Sequence, residues 1–316
     1  MIALGGGLAV LLVRLAKRDL PARTATLISV TGAFAAISTL LGSPLIGAVF
    51  LLEASGLGGT TAAVVLLPGL LASGIGALIF TGLGSLTGLK PLSLSAGTVP
   101  APGTPTVPEL CWAVVIGVLA PVLCWLIRGP ARRLVPVAQR APLLVTPLVG
   151  LAVAGLAIGY GLATGHDQMA VLLSGEAALP DLLATGGTLP VWVLALLFLA
   201  KALAYGGSLA AFRGGPIFPA VFLGAAGGIL LSHLPGLPLV CGAAIGVAAV
   251  GTGMLRLPIS SLLLATLLFG AAGVQVLPLT IVATVLAYVG VMRLDPPAAA
   301  PGPTLAPAHA EDRGCA

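Results

Sequence analysis

The chain has 316 residues, of which 58% are hydrophobic and 7% charged, with a formal net charge of +5 and a mean hydropathy of +1.16. A water-soluble domain carries roughly 25% charged residues, so this composition excludes a water-facing surface over most of the chain. Basic residues in short clusters between apolar runs, not in one aromatic-flanked patch, argue against nucleic acid as a partner. The four cysteines argue against a disulfide framework.

Apolar runs punctuated by Gly, Pro and charge predict helices over 1–16, 24–41, 44–55, 60–84, 109–127, 141–164, 189–210, 217–233, 238–255 and 258–292, the last broken near 274–278. Crossing about 30 Å of hydrocarbon takes about 20 apolar residues, and that length recurs along nearly the whole chain. The expected class is all-α, an integral, multi-pass membrane protein in contact with lipid. Several of these runs are too short to cross alone, and Pro44 and Pro258 each open a run a few residues after the previous one ends. Such runs read as broken or re-entrant helices, which survive at membrane depth only when buried in protein or lining a cavity.

Arg14, Lys17, Arg18 and Arg23 form one basic cluster, and Arg128, Arg132, Arg133 and Arg140 another. Both read as cytoplasmic loops under the positive-inside rule, with Trp112 and Trp125 as interfacial anchors at the two ends of the segment before the second cluster. The Pro/Thr-rich stretch 97–108 reads as an extramembrane linker inside a membrane domain spanning 1–294. The Pro/Ala-rich stretch 295–316 reads as a disordered tail.

The two ends of the chain resemble each other. IALGGGLAVLLVRL followed by SVTGAFAAISTLLGSPLIGAVFLLEA parallels VFLGAAGGILLSHL followed by GVAAVGTGMLRLPISSLLLATLLFG, with Pro44 aligned on Pro258. Weak internal symmetry of this kind marks transporter folds built from repeats, whose sites lie at the repeat interface. In the second copy the Gly-rich helix follows Arg213-Gly-Gly-Pro-Ile-Phe-Pro219; the matching stretch of the first copy falls upstream of Met1, so the chain reads as starting inside a repeat.

That stretch, RGGPIFPAVFLG, is the constellation with specific chemistry. Gly214 and Gly215 permit a sharp turn. Pro216 and Pro219 set φ for the first turn of a helix, where an amide would lack a partner anyway. The free N–H groups and positive dipole end of such a helix make an anion site that needs no full positive charge.

Gly215-Pro216-Ile217-Phe218-Pro219 resembles the GxFxP signature of the CLC family of voltage-gated chloride channels and chloride/proton antiporters. The flanking helix pairs around Pro44 and Pro258 resemble the family's as well. The resemblance covers roughly 1–55 and 190–292. It implies an inverted-repeat fold, a homodimer, a bacterial-type plasma membrane location, no cofactor, and transport of chloride or a related small anion. Carried over by position, it puts the anion at Gly215, Ile217, Phe218 and Pro219, with the amides of Ile217 and Phe218 as donors.

The chain departs from the family's pattern. Pro216 removes one donor, Ile217 replaces a phenylalanine, and the family's serine and gating-glutamate elements would precede Met1. No tyrosine occurs where the late pore tyrosine would fall. Glu53 lies one position before the acid that carries protons in the family's exchangers, and Ala54 occupies that position. The expected activity is therefore channel-like conduction, with proton-coupled antiport or another inverted-repeat carrier as alternatives.

Glu53 and Arg213 are candidate gating or electrostatic residues, and Glu53 equally reads as an interfacial charge. Arg256 reads as a partner for carbonyls freed at the break before Pro258, and Lys201 as a snorkelling or potential-raising cation. His166, Asp167 and Glu176 read as a solvated loop. No clustered His/Glu or serine elbow at catalytic spacing suggests an enzyme.

Overall fold

The computed structural model describes residues 2–16, 21–55, 59–88, 103–212 and 214–296. Among these, fourteen helices follow one another: α1 (Ile2–Ala16), α2 (Ala22–Leu41), α3 (Pro44–Ser55), α4 (Gly59–Thr87), α5 (Val107–Arg140), α6 (Pro142–Thr164), α7 (Met169–Leu172), α8 (Leu179–Thr185), α9 (Val191–Ala211), α10 (Ile217–Leu231), α11 (Leu239–Leu255), α12 (Pro258–Phe269), α13 (Ala271–Gln275) and α14 (Leu277–Leu294). Arg213, Lys17 and Arg18, together with 97–102 of the expected linker and 297–316 of the expected tail, lie outside the described residues.

The two ends of the chain fold alike. A Gly-rich helix (α1, α10) packs on a Gly/Ala helix (α2, α11), which ends in a left-handed residue two positions before a proline that opens a 12-residue helix (α3, α12). The left-handed residue is Gly42 at φ 65° in the first copy and Arg256 at φ 60° in the second. Glycine enters that region freely, whereas a side chain there is uncommon. Arg256 is the one non-glycine residue at positive φ among the described residues. It is held by its N–H bond to the Thr252 carbonyl at 2.8 Å and by its guanidinium on Asp295.

Small residues set the close approach within each pair. A Cβ added at Gly228 or Gly242 would strike the other's backbone, and the same holds for Gly224 with Gly246 and for Gly5 with Gly32. Hydrocarbon supplies no hydrophobic drive between helices, so such backbone contact, rich in van der Waals attraction, is what holds them. Every residue of α11 from Val240 to Met254 is buried, which makes α11 the centre of the core. The lipid-side extreme is α6, where Leu143, Leu144, Leu148, Leu151 and Leu162 are exposed.

Two expectations are corrected. Residues 128–140 are helical, not a loop: α5 runs 34 residues through Pro121, Pro130 and Pro136. At about 1.5 Å per residue its 34 residues span about 51 Å, well beyond the hydrocarbon. The stretch 165–188 contains α7 and α8, because Val171, Leu179, Leu182 and Leu183 turn inward and pack in the core. The last apolar run breaks at Val276, inside the expected 274–278, and also at Gly270 (φ 57°, ψ −125°), in a conformation open to glycine.

Candidate anion site

Helix α10 begins at Ile217, with Pro216 at φ −79° and ψ −9° before it and no side chain capping the turn. The first N–H engaged in the helix belongs to Ala220, which donates to the Pro216 carbonyl at 3.3 Å. Pro219 has no N–H. The amides of Ile217 and Phe218 are thus the unspent donors of the first turn, and among the described residues neither has an acceptor. Both belong to the positive end of the helix dipole, which favours a negatively charged guest. Ile217 is buried, Phe218 and Pro219 are half-buried, and Gly214 and Gly215 are exposed.

Gly214 and Gly215 work differently from the expectation. Neither has positive φ, so the turn does not demand glycine, and a Cβ on either would meet nothing within 4 Å. The missing side chains keep the approach to the helix start open.

Tyr205 on α9, 5% exposed, donates its hydroxyl to the Pro216 carbonyl at 3.0 Å and fixes the residue on which α10 starts. Sequence reading passed over it because the link joins two elements. The one available signal is that Tyr205 is one of three tyrosines in the chain.

Pro216 and Leu209 also line a cavity of about 430 Å³ together with Arg128, Arg132, Arg256 and Asp295. Asp295, expected at the start of a disordered tail, is only 3% exposed. Its carboxylate accepts from Arg128 Nη1 at 3.1 Å and from Arg132 Nη1, and Arg256 Nη2 lies 3.0 Å from it. Arg128 also donates to the Met254 carbonyl. Burial by itself would push the Asp295 carboxyl up; the hydrogen bonds from Arg132 and Arg128 and the charges of Arg132 and Arg256 outweigh it and hold the group below its usual value. The Arg256 side chain turns not to the carbonyls of its own break, as expected, but to the carbonyl and carboxylate of Asp295.

Glu53 lies away from this turn. At the end of α3 it accepts from Ile259 N–H at 2.9 Å, from Ser260 N–H at 2.7 Å and from the Ser260 hydroxyl at 2.6 Å. It therefore closes the N-terminus of α12, the counterpart of its own helix in the second copy. Lys201 is also spoken for: 2% exposed, it donates to the carbonyls of Ala170 at 2.8 Å, Val171 at 3.2 Å and Leu173, and sits 5.0 Å from the Phe222 ring centroid. Trp112 reaches the Pro235 carbonyl at 3.1 Å, whereas Trp125 is exposed.

Among the described residues, five helices are long and apolar enough to cross a membrane: Thr24–Leu41 within α2, α5, α6, α9 and α14. The family model for the voltage gated chloride channel matches residues 1–291. Among solved structures, a CLC-type fluoride/proton antiporter superposes with a TM-score of 0.67 at 22% identity, covering 91% of this chain and 68% of that one. A slow cyanobacterial Cl−/H+ antiporter superposes with a TM-score of 0.68 at 16% identity, covering 94% of this chain and 68% of that one. No curated protein matches the sequence. The chain is an integral membrane protein with the fold those structures share.

Proposed function

Because the chain belongs to the voltage-gated chloride channel family, we propose that it carries a small inorganic anion of the chloride or fluoride class across the membrane in exchange for protons, with the anion held at the start of α10. Anion transport comes with the family; proton coupling and the anion's place rest on further observations. The observation that carries the site is the pair of unspent amides on Ile217 and Phe218, reached past Gly214 and Gly215. Arg128, Arg132 and Arg256 stand beside Pro216 and add positive potential to the approach. Arg213, next in sequence, is part of the same proposal.

Exchange is favoured over the channel-like conduction expected from the sequence because both structures that share the fold are anion/proton antiporters. One observation favours the channel-like reading: Ala54 stands where the resemblance puts a proton-carrying acid, and neighbouring Glu53 is engaged in three hydrogen bonds. A homodimer is the assembly the resemblance implies, and cross-linking in native membranes tests it.

The test is flux from liposomes holding the purified chain and loaded with chloride or fluoride. An anion gradient that drives protons uphill supports exchange. Anion efflux without proton movement supports channel-like conduction in its place, and no efflux of either halide overturns the transport reading.

A further inference from the structure

The three arginines around Asp295 carry more charge than Asp295 removes. Three guanidinium groups and one carboxylate leave a residual of +2 in the wall of one cavity. A single arginine satisfies a carboxylate in bidentate geometry, so convergence of three on one acid exceeds what pairing requires. Each guanidinium has five N–H donors. Two of Arg128's nitrogens are engaged, and one each of Arg132's and Arg256's. Unspent donors therefore remain in the wall, on side chains that water reaches: Arg132 is 55% exposed and Arg256 25%.

We infer that this cavity is a binding site for a phosphate group, distinct from the halide position at the start of α10. Three features select that chemistry over a halide. The residual charge matches a dianion. The planar fork of arginine fits several oxygens at fixed spacing, whereas a halide is a single point acceptor. The cavity, about 430 Å³, exceeds by an order of magnitude the roughly 30 Å³ share of one water molecule, a halide-sized guest. Asp295 has a positioning part: it gathers arginines from α5 and from the α11–α12 turn that would otherwise repel one another. The phosphate comes either from a soluble phosphorylated molecule or from an anionic lipid headgroup, and both sources present the same oxygens to the same forks.

The experiment is thermal melting of the purified full chain in an uncharged detergent at fixed ionic strength, titrated separately with inorganic pyrophosphate, dioctanoyl phosphatidic acid and dioctanoylglycerol. A saturable rise in melting temperature with pyrophosphate assigns a soluble source. A rise with phosphatidic acid but not with pyrophosphate or dioctanoylglycerol assigns a lipid headgroup. Arg132→Gln leaves Asp295 paired with Arg128 and Arg256, so it folds, and it should raise the half-saturating concentration about tenfold, the worth of one charge-assisted contact. Arg133→Gln, a neighbour outside the cavity wall, should leave that concentration unchanged. No rise with either phosphate compound, or identical half-saturation for wild type and Arg132→Gln, overturns the inference. Binding is read without any flux, so this result and that of the liposome assay are independent.

Discussion

Glu53 and Ser260, 207 residues apart, share two hydrogen bonds: the Ser260 N–H at 2.7 Å and its hydroxyl at 2.6 Å both reach Glu53 Oε2. The last turn of the proline-opened helix in one copy thus closes the first turn of its counterpart in the other. Glu53→Ala leaves the Ile259 and Ser260 amides without their acceptor, and leaving the buried Ser260 donor unsatisfied costs about 1–3 kcal/mol. The expected outcome is a lower melting temperature with proton coupling unchanged. A variant as stable as wild type but uncoupled would make Glu53 a proton carrier.

Gly228 and Gly242 let α10 and α11 touch backbone to backbone, whereas Gly215 faces open space. Gly228→Ala should destabilise by about 1–3 kcal/mol through overpacking. Gly215→Ala should be neutral in melting and in flux, since its Cβ meets nothing. Gly215→Glu should abolish flux without lowering the melting temperature, by placing a bulky negative charge before the Ile217 and Phe218 amides. Unaltered flux in Gly215→Glu would count against the position of the site.

Lys201 satisfies three carbonyls of the 170–173 stretch at once. Lys201→Met removes the donor for all three inside a packed interior, and each orphaned acceptor adds to the loss. A destabilisation of about 2–4 kcal/mol is expected, measured by melting in detergent. An unchanged melting temperature would show that water or another donor serves those carbonyls.

Asp295 gives a pH dependence of defined sign. Its folded-state pKa lies below 3.8, so the stability it contributes is fully present above its unfolded value and is lost as pH falls through the folded one. Asp295→Asn should melt lower than wild type at neutral pH, and the difference should shrink once the pH drops below 3.8. A difference that persists undiminished well into acid would show that charge is not what Asp295 supplies.

What sequence revealed was local. Pro44 and Pro258 mark helix starts because proline suits the first turn, and 44–55 is bounded as expected. The Ile217 and Phe218 amides were legible because a helix start with two prolines and two glycines announces its own unspent donors. Contacts between distant elements were not legible. Arg128 and Arg132 looked like a membrane-side loop because their charges cluster between apolar runs, and their partner Asp295 lies 167 and 163 residues away. The link from Tyr205 to Pro216 and that from Glu53 to Ser260 were hidden for the same reason: each joins elements that only folding brings near.

The most direct measurement is anomalous scattering from crystals of the chain soaked in bromide, a halide that stands in for the transported anion. The account predicts a bromide peak within about 3.5 Å of the Ile217 and Phe218 amide nitrogens, on the side opened by Gly214 and Gly215. Bromide bound elsewhere along the path, with those amides facing lipid or covered by protein, would contradict it.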